Sequence, residues 1–164
     1  MVKNGKTKER KTYLLLHNIR SAENAGSIFR TADAVGITKI FLTGYTPTPL
    51  DRFGRKRKDI AKTSLGAEEF VSWEYEKSPL KIIRILKKEG IEIIGIEQNK
   101  RAMDYRKFKI KSSACFILGN ETEGISQKLL SECDAIVEIP QYGKKESLNV
   151  SVATGVALFR VLHP

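Results

Sequence analysis

The sequence predicts an α/β domain built on a mainly parallel sheet with helices on both faces. Short apolar segments alternate along the chain with longer segments whose apolar residues recur at helical spacing. That alternation is typical of a parallel sheet, because each connection between parallel strands crosses back over one face of the sheet. With 164 residues, 41% of them apolar, the chain is long enough to bury one core. We therefore expect a flexible basic tail over residues 1–12 and a single domain over residues 13–164.

Six segments rich in branched and aromatic apolar residues are predicted as strands. They cover residues 13–17, 38–43, 70–75, 91–96, 113–118 and 135–139. Four segments with apolar residues three and four positions apart are predicted as helices. They cover residues 25–35, 79–89, 126–131 and 148–162, and the first has Asn24 as candidate N-cap and Gly36 as its stop. Residues 44–63 hold two prolines and a basic cluster, which predicts a long loop with room for a short helix.

The last predicted helix is apolar almost all round. Between Val150 and Leu162 only Ser151, Thr154 and Arg160 are clearly polar. A helix of this kind is buried on more than one side. The sheet covers one side; either a second subunit covers the other, or the helix is simply sunk in the core.

Charge, hydropathy and cysteine content favour some classes of protein and exclude others. A net charge of +10 indicates a polyanionic partner, of which nucleic acid is the commonest, although a basic surface also serves solubility. No apolar stretch is long enough to cross a bilayer, and residues 1–12 lack the pattern of a signal peptide. Cys115 and Cys133 lie in or beside apolar runs and form no metal-like pair. We expect reduced cysteines, no bound metal and a cytoplasmic location.

Three short strings combine glycine with amide, carboxylate or hydroxyl side chains. They are residues 24–30 (Asn-Ala-Gly-Ser-Ile-Phe-Arg), residues 118–124 (Leu-Gly-Asn-Glu-Thr-Glu-Gly), and Ile139-Pro140 followed by residues 147–151 (Ser-Leu-Asn-Val-Ser). Each lies at a predicted strand end or helix start, where the loops of an α/β domain gather into a ligand crevice.

Each string, taken alone, also fits a structural role. Asn24 and the segment 147–149 fit helix caps, and residues 119–121 fit a turn whose glycine permits a close backbone approach. Arg30, beside a core-facing stripe, either extends its charged head to water or binds an anion such as a phosphate.

Together and in this order, the strings resemble the three motifs of the SpoU/TrmH branch of the SPOUT RNA methyltransferases. The resemblance covers residues 13–162 and includes residues 17–26, 62–67 and 95–99. It implies a C-terminal deep trefoil knot whose loops hold S-adenosylmethionine, and a homodimer. It also implies methyl transfer to a ribose 2′-hydroxyl of tRNA or rRNA. The alternative is a non-catalytic RNA-binding or ribosome-assembly factor with the same fold.

The resemblance also assigns site residues. The implied catalytic residues are Arg30, Asn24, Glu121, Ser147 and Asn149. The implied cofactor-binding residues are Ile96, Leu118, Gly119, Asn120, Ile139, Gln141, Ser147 and Leu148. Gln141 departs from the family pattern, since many relatives have methionine there.

The family proposal makes the arginine the proton acceptor, yet a guanidinium stays protonated under almost all conditions. Either Arg30 loses its proton transiently, or it holds an RNA phosphate and polarises the hydroxyl while a phosphate or water accepts the proton. We prefer the second, in which Ser147 and Asn149 position Arg30 and the ribose, and Glu121 orients the loop or the arginine. His17 and His163 are not expected to act as the base.

Basic residues cluster in the tail, in the long loop and in the loop after residue 99. Clusters that flank one crevice are typical of a surface that binds RNA phosphates. The candidate RNA-binding residues are Arg30, Arg52, Arg55, Lys56, Arg57, Lys58, Lys100 and Arg101. Phe53 and Tyr105, within these clusters, either stack on an unpaired base or pack within the fold.

Overall fold

The computed structural model describes residues 10–164. Most of the expected tail, residues 1–9, lies outside the described residues, so its flexibility stays a prediction. The strands are β1 (Thr12–His17), β2 (Lys39–Thr43), β3 (Trp73–Glu76), β4 (Glu92–Ile96), β5 (Met103–Asp104), β6 (Ala114–Leu118) and β7 (Ala135–Glu138). The helices are α1 (Ala22–Val35), α2 (Lys58–Ser64), α3 (Ala67–Phe70), α4 (Pro79–Lys88), α5 (Gln127–Leu130) and α6 (Val150–Leu162).

The strands of the described chain form one seven-stranded sheet in the order β3-β2-β1-β6-β4-β7-β5. Every pairing between them is parallel, which confirms the predicted sheet. After β3, at one edge, the chain crosses the sheet to β4 on the far side of β1. A change of direction of this kind leaves a crevice at the carboxyl ends of the central strands, where loops diverge to the two faces.

Helices cover both faces of the sheet, also as predicted. Residues on β1 alternate between two cores, with Leu14 and Leu16 on one face and Tyr13 and Leu15 on the other. The first core is closed by α1, α3 and α6, and the second by α4 and α5. Burial on both faces explains why the central strands are continuously apolar.

The start of α1 corrects the expected cap. Ser21, in an extended conformation, is the N-cap, and its side chain accepts a hydrogen bond from the backbone N–H of Asn24 at 3.1 Å. Asn24 therefore lies inside the first turn, and its side chain is left for other contacts. Gly36 ends the helix as predicted, with φ of 78°, a left-handed conformation that favours glycine.

Other boundaries differ from the sequence predictions. The short helix in the long loop is α2, whereas the predicted strand over 70–75 begins only at Trp73, because α3 occupies the residues before it. The edge strand β5 was not predicted, since two residues cannot carry an alternating pattern. The last helix begins at Val150, with Asn149 as its N-cap.

The helix α6 has one buried face and one exposed face. Ala157, Leu158 and Val161 are buried in the first core, where α6 packs beside α1, whereas Val152 and Phe159 are 49% and 48% exposed. The interpretation of a helix sunk entirely in the core is therefore wrong for a single chain. In the part of the chain that the structure describes, no helix, α6 included, is long and apolar enough to cross a membrane.

Candidate active site

A cavity of about 400 Å³ opens at the carboxyl ends of β4, β6 and β7. All eight residues assigned to cofactor binding from the sequence line it: Ile96, Leu118, Gly119, Asn120, Ile139, Gln141, Ser147 and Leu148. The sheet brings these residues together because the strands that precede them are neighbours and parallel. Glu121 and Asn149, assigned a catalytic role, line the same cavity.

One wall of the cavity is a tight loop, residues 119–124. The side-chain oxygen of Asn120 accepts the backbone N–H groups of Thr122 and Glu123, both at 2.8 Å, and the Gly124 N–H donates to the Asn120 carbonyl at 2.9 Å. A Cβ at position 119 would lie 2.4 Å from the backbone carbon and oxygen of Gly124. The close approach expected at Gly119 is therefore made to the loop's own backbone.

We expect Gly119→Ala to weaken cofactor binding by a factor of ten or more. The added methyl group meets main-chain atoms that cannot rotate away, so the loop must open and the cavity wall shifts with it; overpacking of this kind costs about 1–3 kcal/mol. Isothermal titration with S-adenosylmethionine measures the effect. Gly143→Ala is the matched control, because a Cβ there meets open space. Equal affinities for the two variants would contradict this account of the loop.

A chain of three side chains joins the three strings. The Asn24 Nδ2 donates to Glu121 Oε1 at 3.0 Å, and the Asn149 Nδ2 donates to Asn24 Oδ1 at 3.1 Å. The Asn149 Oδ1 in turn accepts the Ser151 backbone N–H at 2.9 Å and so caps α6. The starts of α1 and α6 and the 119–124 loop are thus held together at one point, beside the cavity.

Glu121 binds the backbone at the start of α1 as well as the Asn24 side chain. Its carboxylate also accepts the backbone N–H groups of Arg20 and Ser21, at 2.9 and 3.0 Å. Partial burial alone would raise the pKa of Glu121, but the N–H groups of Arg20 and Ser21 and the Asn24 amide together hold it below its ordinary value. The residue is therefore an ionised acceptor that binds the start of α1 to the loop.

Glu97 is a site residue that the sequence reasoning missed. It lines the cavity after β4, and its two oxygens accept the backbone N–H groups of Ile125 and Gln98, at 2.8 and 3.0 Å. It thereby fixes the far end of the 119–124 loop. The signal available in the sequence was its position directly after a predicted strand, next to Ile96.

One further contact and one further residue complete the rim of the cavity. The Gln98 Nε2 donates to the carbonyl of Glu146 at 2.5 Å, which ties the loop after β4 to the segment before α6. Glu138, at the end of β7, was also missed and also lines the cavity.

Neither histidine lines the cavity. His17 Nδ1 lies 2.9 Å from Thr43 Oγ1, and His163 Nε2 lies 3.1 Å from the Val35 carbonyl.

Arg30 lies apart from this network in a single chain. It is an exposed residue of α1, six residues after Asn24, and its side chain makes no hydrogen bond or ion pair with residues 10–164. It does not line the cavity. Its guanidinium is therefore available to an external anion, and its role stays a prediction.

The other basic candidates lie on the long loop, at the first residue of α2 and on the loop after β4. Three of those before α2 are paired with carboxylates: Arg55 with Asp51, Lys56 with Glu69, and Arg57 with Asp59. Arg52 and Lys58 have no carboxylate partner among the described residues. Lys100 and Arg101 are exposed after β4, and Arg101 Nη2 donates to the Leu130 carbonyl at 3.4 Å. Exposed pairs of this kind are weak and leave the basic side chains accessible to phosphates.

Comparison with known proteins agrees with the geometry. Residues 11–159 match the family model described as the SpoU rRNA Methylase family. The chain is 34% identical over 152 residues to a Staphylococcus aureus protein named as a TrmH family tRNA/rRNA methyltransferase, covering 93% of this chain and 58% of the relative. It is 31% identical over 150 residues to the 23S rRNA (guanosine-2′-O-)-methyltransferase RlmB of Xanthomonas axonopodis pv. citri, covering 92% and 57%.

A solved structure shows the same arrangement of the chain. The crystal structure of an rRNA methyltransferase from Sinorhizobium meliloti with bound AdoMet superimposes with a TM-score of 0.84 at 29% identity. The match covers 93% of this chain and 56% of that protein. This chain therefore spans a little over half the length of these relatives.

Proposed function

Because the chain belongs to the SpoU rRNA methylase family, we propose that it transfers a methyl group from S-adenosylmethionine to a ribose 2′-hydroxyl of tRNA or rRNA. The observation that carries the proposal is the hydrogen-bonded chain Glu121–Asn24–Asn149. It joins three segments far apart in the sequence beside a cavity at the carboxyl edge of the sheet. A purely structural cap at each helix start would not require the three segments to meet.

The cavity suits S-adenosylmethionine in size and lining. Its volume of about 400 Å³ falls within the range of about 300–1,000 Å³ typical of small-molecule sites. Ile96, Leu118, Ile139 and Leu148 offer apolar contacts to an adenine ring, while the carboxylates of Glu97 and Glu121 favour a cationic ligand. When bound, S-adenosylmethionine supplies an activated methyl group on its sulfonium sulfur.

The chain's own residues supply orientation and handle the hydroxyl proton. Arg30 binds a phosphate of the RNA through its planar fork and polarises the ribose hydroxyl, while a phosphate or water accepts the proton. Ser147 and Asn149 position the ribose. Glu121, which stays ionised, acts indirectly: it fixes Asn24 and the loop, so that the groups around the reacting atoms keep one geometry.

We also propose that the chain forms a homodimer. The exposed apolar side chains of α6, Val152, Val156 and Phe159, lie on one face at intervals of four and three residues, which is the pattern of a helix that packs against a partner. A second copy of the chain would cover this face, and sedimentation velocity should then give one species of twice the chain mass. The trefoil knot implied by the resemblance and the cytoplasmic location expected from the reduced cysteines belong to the same proposal.

Methyl transfer to unmodified RNA tests the function. The protein is incubated with labelled S-adenosylmethionine and separate tRNA and rRNA pools that lack native modification, and any labelled nucleotide is mapped. Label on a ribose 2′-oxygen is the expected result, and the pool that carries it identifies the substrate class. Label on a base contradicts the proposed reaction. No cofactor binding favours the non-catalytic RNA-binding alternative, whereas cofactor binding without transfer indicates a missing partner or a precursor RNA as substrate.

A further inference from the structure

The long loop before α2 presents an aromatic side chain to solvent at its tip. Phe53 is 65% exposed, although a phenylalanine normally lies in a core. The guanidinium carbons of Arg52 and Arg55 lie 4.7 and 4.9 Å from the centre of its ring. Tyr105 and Phe108, aromatic residues of the later basic cluster, are instead partly buried and pack against the first core. Of the three, Phe53 is the most exposed to another molecule.

The tip of the loop is held in a defined conformation. Leu50 and Lys56 form an antiparallel bridge, and the Asp51 N–H donates to the Arg55 carbonyl at 2.8 Å. The Asp51 carboxylate accepts the N–H groups of Phe53 and Arg55, at 2.8 and 3.0 Å, and the Arg55 Nε at 2.9 Å. The ring is thus presented on a structured turn, which lowers the entropic cost of binding a ligand to it.

The charge around Phe53 suits an anionic ligand. Residues 51–59 contain five basic residues and two carboxylates, Asp51 and Asp59, which pair with Arg55 and Arg57, while Arg52 has no carboxylate partner among the described residues. A flat apolar ring surrounded by guanidinium groups matches a nucleotide, whose base has two apolar faces and whose phosphate is negative. The base must be unpaired, because stacking on a side chain requires a face that a duplex does not expose.

We propose that Phe53, with Arg52 and Arg55, is a stacking platform for an unpaired base of the substrate RNA. The proposal rests on the proposed function and specifies its substrate as an RNA with an unpaired nucleotide near the modified one. Phe53 does not line the cofactor cavity, so the stacked base belongs to a flanking nucleotide rather than to the target. Tyr45, at the base of the loop, connects it to the site: its hydroxyl accepts a hydrogen bond from Asn120 Nδ2 at 2.9 Å.

The substitution Phe53→Leu removes the aromatic face and leaves the charge of the loop unchanged. We expect its affinity for a single-stranded RNA oligonucleotide to fall by about 5- to 100-fold, the effect of losing one base–aromatic stack, with an unchanged dependence on salt. Its affinity for a duplex of the same length should stay within twofold, and Phe53→Trp should restore binding. Arg52→Gln should instead reduce the salt slope by about 0.7 on single strands. Fluorescence anisotropy with labelled RNA at several salt concentrations gives all of these values without any turnover.

Phe70→Leu is the matched control, since Phe70 is 80% exposed but has no guanidinium over its ring among the described residues. The platform is overturned if Phe53→Leu binds single strands as the unaltered protein does, or loses single strands and duplex equally. If the unaltered protein binds RNA through Phe53 but transfers no methyl group, the platform stands and the proposed reaction fails. If it transfers methyl groups and Phe53→Leu binds normally, only the platform fails.

Discussion

Arg30→Ala is expected to lower methyl transfer by a factor of about 10²–10⁴, the range for loss of a group that assists proton transfer. Cofactor affinity should stay unchanged, because Arg30 does not line the cavity. Stability should also stay unchanged, since the exposed guanidinium makes no hydrogen bond or ion pair with residues 10–164. Single-turnover transfer, calorimetric titration with S-adenosylmethionine and denaturant unfolding measure the three quantities separately.

A control variant and a conservative variant test whether the effect is specific to Arg30 and to its planar guanidinium. Arg84→Ala removes an exposed arginine from α4, on the opposite face of the sheet, and should leave transfer within twofold. Arg30→Lys keeps the charge but loses the planar fork, so it should recover only part of the rate if two-point binding of a phosphate matters. Loss of cofactor affinity in Arg30→Ala would contradict the assignment of roles, and full activity would remove Arg30 from the mechanism.

The sequence predicted the cavity better than the network beside it. Residues that line the cavity follow apolar strands, and parallel strands bring their carboxyl ends to one edge, so the pattern places Leu118 and Ile139 at strand ends beside a crevice. Their assignment to cofactor binding came from the resemblance. The contact between Asn24 and Asn149 joins residues 125 positions apart through side-chain amides. No local pattern encodes a contact of that separation; only the resemblance to a family indicated that these residues act together.

Helix boundaries were predicted less well where two nearby residues could each act as the cap. At the start of α1, Ser21 and Asn24 are both good N-caps, and the choice of Ser21 follows from Glu121, which binds the N–H groups of Arg20 and Ser21. The residue spacing alone could not reveal that tertiary contact. Likewise, no local pattern around Glu97 indicates that its carboxylate accepts the backbone N–H of Ile125, at the end of the 119–124 loop.

Glu121→Gln is expected to be the most destabilising of the changes considered. The carboxylate accepts three hydrogen bonds from residues 20–24, at the start of α1, and bonds to a charged acceptor contribute about 1.5–3 kcal/mol each. An amide keeps one acceptor oxygen but turns an NH₂ group toward the N–H donors. We expect a loss of about 2–4 kcal/mol in the free energy of unfolding, and weaker cofactor binding because the loop loses its anchor. Glu123→Gln is the control, since the Glu123 side chain is exposed and accepts no hydrogen bond from the described residues.

The pH dependence of unfolding distinguishes loss of the hydrogen bonds to the ionised Glu121 carboxylate from a change in the shape of the side chain at that position. The pKa of Glu121 lies below its ordinary value of 4.5 in the folded chain, so its contribution to stability is fully present above that value. As the pH falls through the folded pKa, the carboxylate takes up a proton and the contribution is lost. The stability difference between the unaltered protein and Glu121→Gln should therefore be large at a pH of about 7 and shrink as the pH is lowered below 4.5 and through the folded pKa. A difference that stays constant over this range would show that the charge of Glu121 does not hold the three segments together.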